Sequence, residues 1–190
     1  MASISIRNSI WRPPDGDGLP LEITPGAALL FPLLYFFDSG GWFAALLPSV
    51  ALHELGHWAA VRICRGTVRS LTLDVTGLYM DISPLSSKSE EVFCAMAGPA
   101  AGLSWLLFGG LIGGEYGERS ALAAEWINLF NLLPALPLDG GRAVYALTSQ
   151  RLAEMLSAVT ALCLAAAGIL CAVPGLLLPA GLIVITVLKA

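Results

Sequence analysis

Four stretches of this chain contain no charged side chain: residues 23–37, 39–52, 92–114 and 155–188. A helix crossing the hydrocarbon of a bilayer needs roughly 20 predominantly apolar residues. Inside hydrocarbon the backbone must satisfy its own hydrogen bonds, which leaves helices or closed barrels as the possible spanning structures. Only 13% of the 190 residues are charged and the mean hydropathy is +0.76, whereas a soluble domain carries about 25% charged residues. The expected fold class is an all-α polytopic membrane protein. The net charge of −4 decides little, because charge asymmetry between loops sets orientation in such a protein.

The order of segments can be read from breakers and period. Residues 1–23 form a polar N-terminal leader containing the cluster Pro13-Pro14-Asp15-Gly16-Asp17-Gly18, and no secretory signal is visible there. Spans are expected at about 24–37 and 42–63, separated by Asp38-Ser39-Gly40-Gly41. Between 67 and 83 the period changes to two: Leu71, Leu73 and Val75 alternate with Ser70, Thr72 and Asp74. Beyond Thr76-Gly77, Leu78, Met80 and Ile82 alternate with Tyr79 and Asp81. This predicts a small membrane-associated β-hairpin between the second and third spans. A third span follows at about 91–113. A fourth, at about 120–147, is interrupted by Pro134 and Pro137, and two more fit into 152–188, divided near Pro174-Gly175. Residues 24–190 are expected to form a single transmembrane domain of about six helices, with no appended soluble domain.

Charge distribution supports the same count. With six spans and both termini inside, Arg7, Arg12, Arg62, Arg65, Arg69, Lys88, Arg142, Arg151 and Lys189 fall inside and only Arg119 outside. That asymmetry follows the positive-inside rule. It also places the later half of the second span and residue 139 of the fourth near the cytoplasmic side. Trp11, Trp42 and Trp126 fall near proposed boundaries, where indole rings anchor at interfaces. Cys64, Cys94, Cys163 and Cys171 show no C-x-x-C spacing and read as free thiols filling helix packing.

Against this apolar background the only two histidines of the chain lie four residues apart, in His53-Glu54-Leu55-Gly56-His57. Helical positions i and i+4 share one stripe, one turn apart. Both imidazoles can therefore grip one ion, while Glu54 reaches the water that ion would hold. This is the His-Glu-x-x-His arrangement of zinc hydrolases, and ionisable groups in hydrocarbon are functional candidates by default. A catalytic zinc takes three protein ligands and keeps one position open. With no further histidine or suitably placed cysteine, the third ligand is expected to be a carboxylate. Asp139 leads, in a segment broken by prolines and followed by Gly140-Gly141, ahead of Asp74, Asp81 and Glu125. Asn131 is a candidate to hydrogen-bond the substrate backbone or to fix the broken helix, and Asn128, one turn earlier, is a second. The segment Ala97-Gly98-Pro99-Ala100-Ala101-Gly102 reads as a packing motif, since small residues let helices approach closely.

Together His53-Glu54-Leu55-Gly56-His57, Ala97 through Gly102 and Asn131 through Asp139-Gly140 resemble the site-2 protease family of intramembrane zinc metalloproteases, over roughly residues 42–145. The chain looks most like the compact bacterial branch that includes the sporulation protease maturing a sigma-factor precursor. The resemblance implies Zn2+ held by His53, His57 and Asp139, and Glu54 as catalytic base. It also implies a membrane-associated protein substrate, such as a sigma or anti-sigma factor, cut near the cytoplasmic face. The expected surroundings are the lipid bilayer of a bacterial cytoplasmic membrane, with both termini cytoplasmic and no nucleic-acid partner. The sequence leaves the oligomeric state open. The competing reading is a non-proteolytic membrane adaptor or metal transporter. A transporter would spread polar groups along a path, whereas here they gather at one depth.

Overall fold

In a computed structural model, residues 21–75 and 77–189 are described. The leader, with its breaker cluster, Trp11, Arg7 and Arg12, lies outside the described residues except for Leu21–Ile23, as does Thr76 of the predicted turn. The element order is β1 (Leu21–Ile23), α1 (Pro25–Phe37), α2 (Trp42–Ile63), β2 (Val68–Asp74), β3 (Gly77–Ile82), α3 (Lys88–Leu103), α4 (Trp105–Ile112), α5 (Gly114–Asn131), α6 (Asp139–Leu147), α7 (Gln150–Leu170), a 3-10 turn at Pro174–Leu176, and α8 (Leu177–Lys189).

Short polar residues set the helix starts. Thr24 accepts the Ala27 amide at 3.4 Å ahead of Pro25 in the first turn of α1. Asp38 accepts the Phe43 amide at 2.5 Å where α2 begins. Ser87 and Ser149 accept the Glu90 and Leu152 amides, both at 3.3 Å, at the starts of α3 and α7. Each side chain satisfies a donor that the first turn of a helix leaves unpaired.

The predicted hairpin is present as β2 and β3, antiparallel, with Leu71 opposite Met80 and Leu73 opposite Leu78. Among the described residues the strand order is β1-β2-β3, with β3 on the outside. β1 is a departure from expectation. Three residues assigned to the leader pair parallel with β2, Leu21 opposite Leu71 and Ile23 opposite Leu73. A parallel partner fifty residues away leaves no local signature, because the crossover between the strands hides it.

Four of the expected spans correspond to α1, α2, α7 and α8. The third is divided at Ser104 into α3 and α4, and the fourth is α5 and α6 joined by 132–138. Among the described residues, two stretches are long and apolar enough to cross a bilayer alone. They are Lys88–Ile112, with hydropathy 1.6, and Gln150–Leu170, with hydropathy 1.9. α1 and α8 are apolar but only 13 residues each, and α2, at 22 residues, carries His53, Glu54, His57 and Arg62.

The interior is made of small residues. Among the described residues, apart from Val61, Cys94, Pro99 and Ile183, the buried apolar side chains are alanines, accompanied by Ser49, Ser120 and Ser157. Large apolar side chains point outward: Leu29, Phe36, Leu111, Leu170 and Leu188 are all more than three-quarters exposed. Small contacts inside and bulky ones outside are how helices pack when the surrounding medium is as apolar as leucine.

Candidate metal centre

α2 packs against α3 and α5, and α3 packs against α6, so four helices meet around one point. His53 and His57 arrive from α2, and Asp139 is the first residue of α6. The prolines of 132–138 explain why α6 starts there. They end α5, and the released backbone is re-tied by Ala135 N–H to Leu133 O at 2.8 Å and Leu138 N–H to Ala135 O at 2.8 Å. Leu136 N–H donates to the Ser157 hydroxyl of α7 at 2.9 Å. Irregular backbone in an apolar fold persists where protein groups satisfy it in this way.

Three acceptor atoms converge there. His53 Nε2 lies 3.1 Å from His57 Nε2 and 3.1 Å from Asp139 Oδ2, and His57 Nε2 lies 3.2 Å from the same oxygen. All three residues are at least nine-tenths buried. Their other ring atoms decide which nitrogens carry hydrogen. His57 Nδ1 is 2.7 Å from the Cys94 carbonyl, which can only accept. His53 Nδ1 is 2.8 Å from Asn128 Oδ1. The Asn128 amide nitrogen donates to Ala124 O at 2.7 Å and Ser49 Oγ at 2.9 Å, which fixes its oxygen toward the histidine. Both Nδ1 atoms therefore donate, and in the neutral rings both Nε2 atoms present lone pairs. Two lone pairs and a carboxylate oxygen face one another, an arrangement that a cation would satisfy. Nitrogens about 2.05 Å from a tetrahedral zinc stand roughly 3.3 Å apart, close to the observed spacing. The donor set fits zinc, and among the described residues this is the one group of His, Cys, Asp and Glu side chains that could hold a metal ion.

The small-residue segment of α3 makes this closeness possible. A Cβ on Gly98 would collide with the His57 ring, and a Cβ on Gly102 would collide with the Asn128 amide. Glycine is required at both positions because an imidazole and a carboxamide occupy the space.

A cavity of about 870 Å³ opens on the cluster and is lined by Glu54, His53, His57, Asp139, Asn131 and Arg142. Leu78, Tyr79, Met80 and Ile82 of β3 form part of its wall. Glu54, half-buried, thus shares a chamber with the three converging atoms. The Asn131 amide donates to Ile127 O at 3.0 Å, within its own helix. Asp74 and Asp81 stay on the sheet, and Glu125 is exposed on α5; none joins the cluster. Asn128, fully buried, is turned toward His53 rather than toward the cavity, a placement that its position one turn before Asn131 did not disclose. The Cys94 carbonyl is a backbone group and leaves no mark in sequence.

A helical fold with an inward His-His-Asp cluster and a glutamate on the same cavity brings together three possible metal ligands and a candidate base, the parts of a zinc hydrolase site. No family model matches the chain. It is 33% identical over 136 residues to "Putative zinc metalloprotease Rip3" of Mycobacterium tuberculosis, covering 64% of this chain and 35% of that protein. It is 32% identical over 162 residues to "Putative zinc metalloprotease sll0528" of Synechocystis, covering 70% of this chain and 42% of that one. The matched part is thus well under half the length of these curated relatives. The solved structure of "Site-2 Protease from Methanocaldococcus jannaschii" superposes with a TM-score of 0.66 at 23% identity, over 94% of both chains, which shows that the fold is shared. The chain thus has the fold of a site-2 protease and is similar in sequence to two proteins named as putative zinc metalloproteases.

Proposed function

We infer that this chain is a zinc-dependent endopeptidase that hydrolyses a peptide bond of a membrane-associated protein near the cytoplasmic face. The observation that carries this reading is the convergence of His53 Nε2, His57 Nε2 and Asp139 Oδ2 within 3.2 Å, on a cavity shared with Glu54. These three residues would hold the zinc. The chemistry zinc supplies when bound is Lewis acidity at the scissile carbonyl and a lowered pKa for water. The Glu54 carboxylate takes a proton from the attacking water and returns it to the nitrogen of the leaving amine. Asn128 and the Cys94 carbonyl keep the two imidazoles oriented with Nε2 inward. Asn131 lines the cavity, and we assign it to hydrogen-bond the substrate backbone.

A helical substrate has its amides protected by internal hydrogen bonds and must be unwound before attack. Among the described residues β3 is the outer strand and lines the cavity, so we take an extended substrate segment to add along it through main-chain hydrogen bonds. Six membrane crossings with both termini cytoplasmic remain our topology, supported by nine of the ten basic residues falling on one side. The substrate class we favour is a membrane-tethered regulator or precursor, such as a sigma or anti-sigma factor, and the setting a bacterial cytoplasmic membrane.

The test is Glu54→Gln. The variant should bind zinc like the parent, and membranes of cells producing it should accumulate an uncleaved protein that the parent removes. Identical membrane proteomes would overturn the proteolytic reading. Photocrosslinkers at Leu78 or Met80 should capture the accumulated protein. If crosslinks form near His57 and none form along β3, strand addition is wrong.

A further inference from the structure

Asp139 uses only one of its two oxygens at the histidine pair. Oδ2 lies 3.1 and 3.2 Å from the two Nε2 atoms, whereas Oδ1 lies 3.4 Å from Nη1 of Arg142. Arg142 is three residues further along the first turn of α6, the spacing at which side chains share a helix face. Its partner is not an ordinary surface carboxylate, for the Asp139 side chain is only 8% exposed. Arg142 also stands between two spaces. It lines the cavity that opens on the cluster and a second one of about 270 Å³ bounded by Ser83, Leu85, Glu91, Cys94 and Tyr145.

A carboxylate can bind a metal through one oxygen or two. If Asp139 chelated with both, a fifth donor would crowd the position that a catalytic zinc keeps for water. Rotating Oδ1 toward the histidines would mean giving up the guanidinium, a charge-assisted contact. We propose that Arg142 is a positioning residue: it holds Oδ1 of Asp139 away from the metal position, so that the carboxylate stays a one-oxygen ligand and a coordination position stays open. The inference rests on reading His53, His57 and Asp139 as the ligand set.

Cobalt(II) reports coordination number directly, since four-coordinate sites absorb more strongly in the visible than five-coordinate ones. The full-length protein in detergent, stripped and reloaded with Co2+, should show the strong four-coordinate bands. Arg142→Gln should take up one equivalent with weakened bands, and its zinc affinity should fall roughly 10- to 100-fold, as when an outer-shell partner is lost. Arg142→Lys, which keeps a cation at Oδ1, should restore most of the intensity. A Gln variant with the parental spectrum overturns the inference. So does a Gln variant that loses cobalt altogether, because Arg142 would then hold the site together without selecting its mode. If the parent protein takes up no cobalt, it is the ligand assignment that fails.

Discussion

Gly98→Ala adds one methyl group to α3, and the structure indicates where the damage falls. The new Cβ would overlap Nε2, Cε1 and Cδ2 of His57. The nearest of these atoms would lie 2.1 Å away, and carbon needs roughly 3.5 Å from a neighbouring heavy atom, so the ring must retreat by about 1.4 Å. It has little freedom to do so, since Nδ1 is tied to the Cys94 carbonyl at 2.7 Å in the next-door turn of the same helix α3. Metal–ligand distances tolerate about 0.2 Å, several times less than the required shift. Overpacking of this kind costs about 1–3 kcal/mol of stability. The larger effect should be on metal, with zinc affinity lowered at least 10- to 100-fold. Metal content after dialysis, measured by mass spectrometry beside a thermal melt, reads both effects. Gly181→Ala is the control, because nothing lies within 4 Å of its added Cβ. A Gly98→Ala protein that retains parental zinc would refute the close-approach argument.

Three further outcomes follow from the same geometry. Asp139→Ala should lower zinc content sharply while Asp74→Ala leaves it unchanged, as read by metal analysis of the purified proteins; equal loss from both would remove Asp139 from the ligand set. Asn128→Leu should weaken zinc binding roughly 10- to 100-fold by freeing the His53 ring, with Asn128→Asp retaining more metal because an acceptor still faces Nδ1. Gly102→Ala should reproduce part of the Asn128→Leu defect without touching a ligand, since its Cβ meets the Asn128 amide; an unchanged zinc titration would separate Asn128 from metal binding.

Much of this architecture can be read before any coordinates. The four-residue spacing of His53 and His57 demands a common helix face, and the Pro134–Pro137 break followed by Asp139-Gly140-Gly141 singles out one carboxylate. Alternation over 67–83 specifies the hairpin. What escapes is the set of groups that reach the cluster from other elements. Asn128 and Asn131 are indistinguishable by type and lie three residues apart, and only the rotation of α5 against α2 sends one to His53 and the other to the cavity wall. The carbonyl of Cys94 is invisible because every residue has one. β1 escapes because its partner is remote. Arg142 was legible in principle, as a cation three residues into a helix that begins with Asp139, but charge distribution alone assigns it merely to a side of the membrane.

The alanine-and-serine interior has a consequence for how this protein fails. In an ordinary soluble core the damaging substitutions delete volume, because large side chains leave holes behind. Here most buried side chains have almost nothing to delete, and the chemistry sits directly against α3 backbone with no side chain in between. Tolerance should therefore be inverted. A mutational scan should find truncations mild across the bundle and single added methyl groups severe, with the severest at Gly98 and Gly102 of α3, Gly56 of α2, and Gly140 and Gly141 of α6, where the added carbon meets backbone or a buried polar side chain.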